Sequence, residues 1–393
     1  MRPLEGITVI TLEHAIAGPF ATRQLADLGA RVIKVERPGV GDFARGYDER
    51  VHGLASHFVW TNRSKESLTL DVKHPESQKI LQRLVAEEAD ILVQNLAPGA
   101  AARLGLSYEA LSAINPGIIV CDISGYGNDG PYRDKKAYDL LIQSESGFVS
   151  VTGTEDEPSK AGPSIADIAA GMYAYSNILA ALLQKQITGR GQHLDISMLD
   201  GLVEWINYPR YYASDGATPR RRTGASHATI YPYGPFPAGD GKNVMLGLQN
   251  EREWAAFCDK VLLRPELSKE ERFSSNSKRS AARDELRQII IDTFSGLTAE
   301  QVIERLETAQ IANAHLNTMK DVWDHPQLKG RNRWREIETA VGKVPALLPP
   351  GSWTECEPRM DAVPALGQHT EAILGGLGYS AGDIAELRAA GAI

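Results

Sequence analysis

Asp167 stands in AGPSIADIAAGMYAYSNILAALLQ, at the opening of a run whose apolar residues recur at helical spacing. Two chemistries suit a carboxylate there. It can accept the free backbone N–H groups of the first turn as an N-cap. Alternatively, held ionised by the helix dipole, it can act as a nucleophile on a carbonyl. Residue type and position leave both open. The second group is cationic: Arg37, Lys73, Arg103 and Lys136 each follow a strand-like segment or lie in a loop. Taken singly they read as solvated surface charge, whereas a polyphosphate ligand would recruit several together. The run Arg220-Arg221-Arg222 reads first as a solvated linker and second as a phosphate or carboxylate site.

The elements that must position these groups are legible from period and punctuation. GITVITL (6–12) and ARVIKVE (30–36) are strand-like and flank AGPFATRQLADLG, whose apolar residues fall at helical spacing. SLTLDV (67–72), a helical ESQKILQRLVAEEA, DILVQN (90–95), a helical SYEALSAIN and GIIVCDIS (117–124) repeat the alternation. Strands alternating with helices predict an α/β domain with a Rossmann-like parallel sheet. From Ile165 to Gln186 the residues Ile165, Ile168, Met172, Tyr175, Leu179 and Leu182 predict one long amphipathic helix with a buried stripe. HLDISML then reads as a strand and GLVEWINYPRYYA as a helix. Residues 215–243, rich in Gly, Pro, Arg and Tyr, read as a linker into a smaller α+β unit. The expected division is 1–215 for the first part of a large domain, 216–330 for the small domain with its linker, and 331–393 for a return to the large one.

Composition removes several classes. The 393 residues carry 42 Lys+Arg against 50 Asp+Glu, a formal charge of −8, which disfavours a generic nucleic-acid binder. No run of apolar residues approaches the roughly 18 needed for a bilayer span, so no membrane partner is expected. Glu5 and Glu13 interrupt the N-terminal apolar stretch, which argues against an export signal. Cys121, Cys258 and Cys356 lie far apart, and the nine histidines lack ligand spacing. Neither a disulfide framework nor a metal site is expected, and a cytoplasmic setting follows as the default. Between the first strand and helix stands LEHAIAGPF, without the glycines of a dinucleotide fingerprint. Glu36 imitates a ribose-binding acid, but NAD is not expected. Pro38-Gly39 and Pro98-Gly99 mark strand-to-helix connections, where open α/β sheets place ligand crevices.

Several segments, in order across nearly the whole chain, together resemble the class III CoA-transferase family. They are PLEGITVITLEH with AGPFATRQLADLGARVIKVERPG, NRSKESLTLDVK, ILVQNLAPGAAARLGL, KKAYDLLIQSESG, SIADIAAGMYAYSNILAALLQKQITGRGQHLDISMLDG and LGQHTEAILGGLG. Formyl-CoA transferase belongs to this family, with α-methylacyl-CoA racemase as a divergent branch. The resemblance implies a large discontinuous α/β domain, a small middle domain and an interlocked homodimer. It also implies Asp167 as the nucleophile, working through a mixed anhydride and an aspartyl-CoA thioester. CoA, as the acyl-CoA co-substrate, is the implied ligand, with contacts on Ala15, Arg37, Leu70, Lys73, Asn95, Leu96, Arg103, Lys136 and Met198. Leu70, Leu96 and Met198 would pack on its apolar parts, and the cations would meet its phosphates.

Departures from formyl-CoA transferase bear on the acid. Ile16 replaces a glutamine, Tyr47 replaces a tryptophan, and GASHATIYPYGPF lacks a glycine-rich loop. Oxalate and formate therefore become doubtful. Substrate contacts are expected at Ile16, Ala17, Tyr47 and Tyr138, with His227 or the nearby arginines suited to a second carboxylate. The expected acceptor is a C4 or C5 dicarboxylate such as succinate, itaconate, mesaconate, citramalate or malate, with succinyl-CoA or a similar ester as donor. Two alternatives stand beside this. A racemase needs an acid–base pair, and Tyr138 takes the place of its histidine; a phenol near pKa 10 is poorly matched to moving that proton. A non-catalytic acyl-CoA-binding module would not need the carboxylate.

Overall fold

The computed structural model describes residues 1–217 and 221–393, which form two compact units. The first comprises residues 1–148, 161–207 and 329–393, and the second comprises 149–160 and 208–328. The stretch 149–160 thus belongs with the middle unit and not with the first part of the large domain.

The first unit is built on β1 (Thr8–Leu12), β2 (Arg31–Glu36), β3 (Lys65–Thr69), β4 (Ile91–Gln94), β5 (Ile119–Ser124) and β6 (His193–Ser197). All pair in parallel in the order β3-β2-β1-β4-β5-β6. That order reverses direction between β1 and β4, so the loops leaving those two strands diverge and open a crevice at the sheet's C-terminal edge. Parallel strands are buried on both faces, and alternation assigns the sides. Ile10, Ile33, Leu68, Leu92 and Val120 face one core layer, and Val9, Val32, Ile91, Val93 and Cys121 face the other. The C-terminal residues complete the first layer through Ile373, Leu374, Leu377, Ile384 and Leu387. A hairpin of β10 (Trp334–Thr339) and β11 (Gly342–Leu347) packs Ile337 and Val344 near Phe58 and Val59.

The long helix spans Ile165–Thr188 and lies on the second layer beside the first helix, Ala17–Asp27. By length and apolarity it could cross a bilayer, but here its innermost stripe is in the core. That stripe is Ala166, Ala169, Ala170, Gly171, Ala174, Ile178, Ala181 and Leu182, so of the larger residues expected from the period only Leu182 is fully in it. Small side chains occupy the line of closest approach, and Ile165, Tyr175 and Leu179 flank it half-buried. At Gly171 a Cβ would stand 2.8 Å from the Ala17 carbonyl oxygen and 2.9 Å from the Phe20 ring. The glycine therefore sets how closely the two helices approach.

The second unit carries an antiparallel sheet of β7 (Tyr233–Pro237), β8 (Asn243–Gly247) and β9 (Ala312–His315), around a core including Phe236, Trp254, Phe257, Leu286 and Phe294. β7 lies inside the stretch expected to be a linker. Pro235 and Pro237 disguise it, and they are tolerated because β7 is an edge strand.

Candidate active site

The turn after β1 is the centre of the site. Ala15 has φ 61°, a left-handed conformation uncommon for a residue with a Cβ. Two side chains brace this turn from the neighbouring strands. From the β4 side, Asn95 Oδ1 accepts the His14 N–H at 2.8 Å, and Asn95 Nδ2 donates to the His14 carbonyl at 2.9 Å. From the β2 side, Asp42 Oδ1 accepts the Ala15 N–H at 3.2 Å and the Ala44 N–H at 2.9 Å. The chain then enters the first helix at Ala17, whose own N-cap residue, Ile16, offers no side-chain acceptor.

Beneath the turn lies a fully buried charge cluster. Lys34 Nζ donates to Asp42 Oδ2 at 2.8 Å and lies 3.4 Å from Glu13 Oε1. Lys65 Nζ donates to Glu13 Oε1 at 2.7 Å, to the Pro19 carbonyl at 3.0 Å and to Asn62 Oδ1 at 3.1 Å. Glu13 Oε2 accepts the hydroxyls of Thr11 and Thr22. Burial alone would raise the Glu13 carboxyl, but Lys65 and then Lys34 hold it down at about 2. Glu36 accepts both arms of Arg45 at 2.8 Å and the Ser67 hydroxyl at 2.6 Å. Its carboxylate is thereby committed, so its likeness to a ribose-binding acid is positional only.

Asp167 is the third residue of the long helix, not its N-cap. Ser164 holds the N-cap position without a side-chain bond, and the first-turn N–H of Ala166 goes to Asp139 Oδ1 at 2.8 Å. The Asp167 carboxylate instead feels the backbone of Ala17 at the start of the first helix, which favours its charged form. Two helix N-termini therefore converge on one partly accessible carboxylate. Burial pushes its carboxyl up to about 7, and the Asp139 carboxylate pushes the same way, against the Ala17 backbone. A group so poised is charged for part of the time near neutrality and is not spent on capping its own helix.

Around it stand expected and unexpected neighbours. Burial, followed by the charges of Asp42 and Asp167 and the Tyr138 phenol, pushes the Tyr47 hydroxyl up to about 12. Tyr47 is 46% exposed and Tyr138 71% exposed. Phe43 stacks on His14 at 5.3 Å and leads to Tyr47 at 5.7 Å, so aromatic rings run outward from the turn. Ile16 is buried to 5% exposure, so its side chain offers a ligand little surface. Ala17 contributes its backbone.

In chain order the nine residues expected to contact CoA all come after the C-terminal end of a strand of this sheet, with Arg103 and Lys136 further along the connections than the rest. Arg37, Lys73, Arg103 and Lys136 are exposed, and none of their side chains has an ion-pair partner among the described residues. Arg31, Arg45 and Lys135 nearby in sequence, by contrast, are paired. Leu70, at 1% exposure, belongs to the core with Ile10 and Leu92, so its side chain presents little surface to a ligand. Met198 is likewise in the opposite core layer, and Leu96 is half-buried against the first. The Asn95 amide is used on His14.

His227 belongs to the second unit. Its Nδ1 accepts the N–H groups of Thr229 and Ile230, and its ring stacks on Tyr233 at 5.2 Å, so one ring nitrogen serves the turn. Arg221 pairs with Glu155, and Arg222 donates to the Thr154 and Glu155 carbonyls at 2.8 and 2.7 Å. These two arginines fasten a turn and are not a free anion site; Arg220 lies outside the described residues. No group of His, Cys, Asp or Glu arranged to hold a metal occurs among the described residues.

The sequence reading missed Asp42, Lys34, Lys65 and Glu13 as parts of the site. A signal was present: Lys34 interrupts the apolar strand VIKVE, and a charge within a strand buried on both faces has to be paired.

A Rossmann-ordered sheet interrupted by a middle unit, a carboxylate between two helix N-termini and unpaired cations along the strand ends define an enzyme that handles an anionic acyl carrier. Residues 4–370 match the model described as CoA-transferase family III, and the chain belongs to that family. It is 35% identical over 398 residues to the succinyl-CoA:glutarate CoA-transferase of Homo sapiens, covering 100% of this chain and 90% of that protein. To the acetyl-CoA:oxalate CoA-transferase of Acetobacter aceti it is 35% identical over 333 residues, covering 84% and 85% of the two chains. The crystal structure of a CAIB/BAIF family protein from Brucella suis superposes with a TM-score of 0.85 at 34% identity, covering 96% of this chain and 99% of that one. The protein is a CoA-transferase whose relatives act with dicarboxylates, and CoA thioesters are its co-substrates.

Proposed function

We propose that the protein moves CoA from succinyl-CoA to a C4 or C5 dicarboxylic acid, with glutarate the first candidate acceptor, and that Asp167 is the nucleophile. One observation carries this reading: the Asp167 carboxylate is withheld from capping its own helix, whose Ala166 N–H goes to Asp139, and remains partly accessible. Attack by Asp167 on the thioester carbonyl forms a C–O bond and breaks the C–S bond, giving a mixed anhydride and CoA thiolate. The thiolate then attacks the aspartyl carbonyl and releases succinate, leaving an aspartyl-CoA thioester. The acceptor carboxylate attacks the aspartyl thioester and expels the CoA thiolate, forming a second mixed anhydride; the thiolate then attacks the acceptor's acyl carbonyl, giving the new CoA ester and freeing the Asp167 carboxylate. Each step exchanges one activated acyl group for another, so no single step carries the whole barrier.

Arg37, Lys73, Arg103 and Lys136 hold the phosphates of CoA in this reading, because they are the exposed cations left unpaired where the strands end. Tyr47 and Tyr138 border the acyl group. The active assembly is an interlocked homodimer, which dilution would not separate without unfolding; a folded monomer at nanomolar protein in sedimentation would contradict that. The activity itself is tested by pairing succinyl-CoA with glutarate, itaconate, mesaconate, citramalate, malate and oxalate and reading the new CoA esters by mass spectrometry. Glutaryl-CoA formation supports the assignment. Transfer to oxalate alone, or no transfer to any of them, overturns it.

A further inference from the structure

The charge cluster under the β1 turn has no part in the acyl exchange, yet burying it is expensive. Glu13, Glu36 and Asp42 face Lys34, Lys65 and Arg45, and the side chains of Glu13, Asp42, Lys34 and Lys65 are all 0% exposed. Well-packed apolar residues in place of such a cluster are often neutral or stabilising, so the fold alone gives little reason to keep it. Its upper end explains it better. Asp42 spends one oxygen on Lys34 and the other on the N–H of Ala15, the residue whose left-handed backbone aims the turn. That conformation is unfavourable for a residue with a Cβ, and it needs a partner that opposes relaxation. Asn95 fixes His14 on the other side. Two residues further on, the Ala17 backbone meets Asp167.

We propose that Asp42, itself fixed by Lys34, is a positioning residue that holds Ala15 left-handed and so sets where the start of the first helix, with the Ala17 N–H, stands relative to Asp167. The inference rests on Asp167 being the nucleophile. Lys34 sets where the Asp42 carboxylate lies, Asp42 sets the turn, and the turn sets the Ala17 N–H. The other side of the cluster, Glu13 with Lys65, ties the same turn to the first helix through the Pro19 carbonyl.

Asp42→Asn preserves volume but sets an amide N–H₂ against the Lys34 ammonium or withdraws the acceptor from Ala15. Positioning predicts a fall in kcat of about 10- to 100-fold, with the KM for succinyl-CoA within about threefold of native. Hydrogen exchange at Ala15 to Ala17 should speed up by at least about tenfold in the same variant. Adding Ala15→Gly, which adopts the left-handed region freely, should recover part of the lost kcat. Should Asp42→Asn not fold, the double change Lys34→Met with Asp42→Leu exchanges the ion pair for apolar volume and still leaves the Ala15 N–H without its acceptor. Native kcat in either folded variant, or unchanged exchange at Ala15 to Ala17, overturns the proposal. A native enzyme that transfers no CoA overturns the functional reading instead, and the exchange measurement still judges the brace.

Discussion

Asp139 and Asp167 share one helix start: Asp139 Oδ1 accepts the N–H of Ala166 at 2.8 Å, and the next residue carries the second carboxylate. Asp139 also accepts from Gln143 Nε2 at 2.6 Å, so both of its oxygens are engaged and its charge stays fixed beside Asp167. One carboxylate has taken over the capping role that residue type would have given to the other. The consequence is electrostatic as well as geometric, because the cap that frees Asp167 also repels it.

Asp139→Asn should therefore lower the Asp167 carboxyl from about 7, since burial remains and the neighbouring negative charge is gone. An asparagine oxygen can still accept the Ala166 N–H, so the helix start survives. With Asp167 as the proposed nucleophile its ionised form is the reactive one, so activity should be lost as pH falls through its pKa. The acid limb of kcat against pH should accordingly move to lower pH in the variant, raising activity at pH 6 relative to that at pH 8. An acid limb that stays in place would show that Asp139 does not act on Asp167.

Asp167→Asn should abolish transfer, with a loss of at least about 10³-fold, while binding of CoA esters by calorimetry stays within about threefold. The same change should stabilise the fold in a defined pH range. A carboxyl raised from 3.8 to about 7 binds its proton more tightly in the native state than in the unfolded chain. Native stability then falls as pH rises from about 4 to 7, and the deficit is complete above 7. Discounted for partial exposure, the deficit is on the order of 2 kcal/mol. The urea midpoint of Asp167→Asn should exceed the native one at pH 8 and match it near pH 4.

The periodic elements were legible, and what escaped the sequence did so for physical reasons. β1, β2, β4 and β5 declare themselves as short, largely β-branched runs, because parallel strands buried on both faces admit little else, and the edge strands β3 (KESLT) and β6 (HLDIS) are more polar. β7 hid behind Pro235 and Pro237, which only the edge of a sheet tolerates. The long helix was visible, but its buried stripe was misread toward the large residues: helix-to-helix proximity selects Ala170, Gly171 and Ala174, and hydrophobicity counts favour Ile168 and Met172. Within the site, Asp167 and the four cations stood out by type. The brace did not, because Asp42 and Ala15 are 27 positions apart and meet only once β1 and β2 pair. Leu70 shows the converse, since matching a family contact says nothing about whether a side chain is free to make it.

The four unpaired cations should act on CoA and not on the acid. Arg37→Ala and Arg103→Ala should each raise the KM for succinyl-CoA by about tenfold, with kcat changed less than about threefold. Raising salt from 50 to 300 mM should raise the native KM and flatten the difference between variants, since exposed phosphate contacts are screened. Equal losses in kcat and in kcat/KM would place these residues in the chemical step instead.

Gly171→Ala tests whether the approach of the two helices sets the site. The new methyl would stand 2.8 Å from the Ala17 carbonyl oxygen, a backbone atom that cannot step aside without moving the start of the first helix. Helix propensity alone would favour alanine by about 1 kcal/mol, so a loss of stability means that the contact outweighs it. Overpacking of this kind costs about 1–3 kcal/mol, and the helices should separate by a few tenths of an ångström to relieve it. Separation draws the Ala17 N–H away from Asp167, which removes the influence opposing burial and raises the carboxyl further. The variant should thus show a lower melting temperature and an acid limb displaced to higher pH, opposite to Asp139→Asn. A variant that melts earlier with an unmoved acid limb would mean that the Ala17 N–H does not govern Asp167.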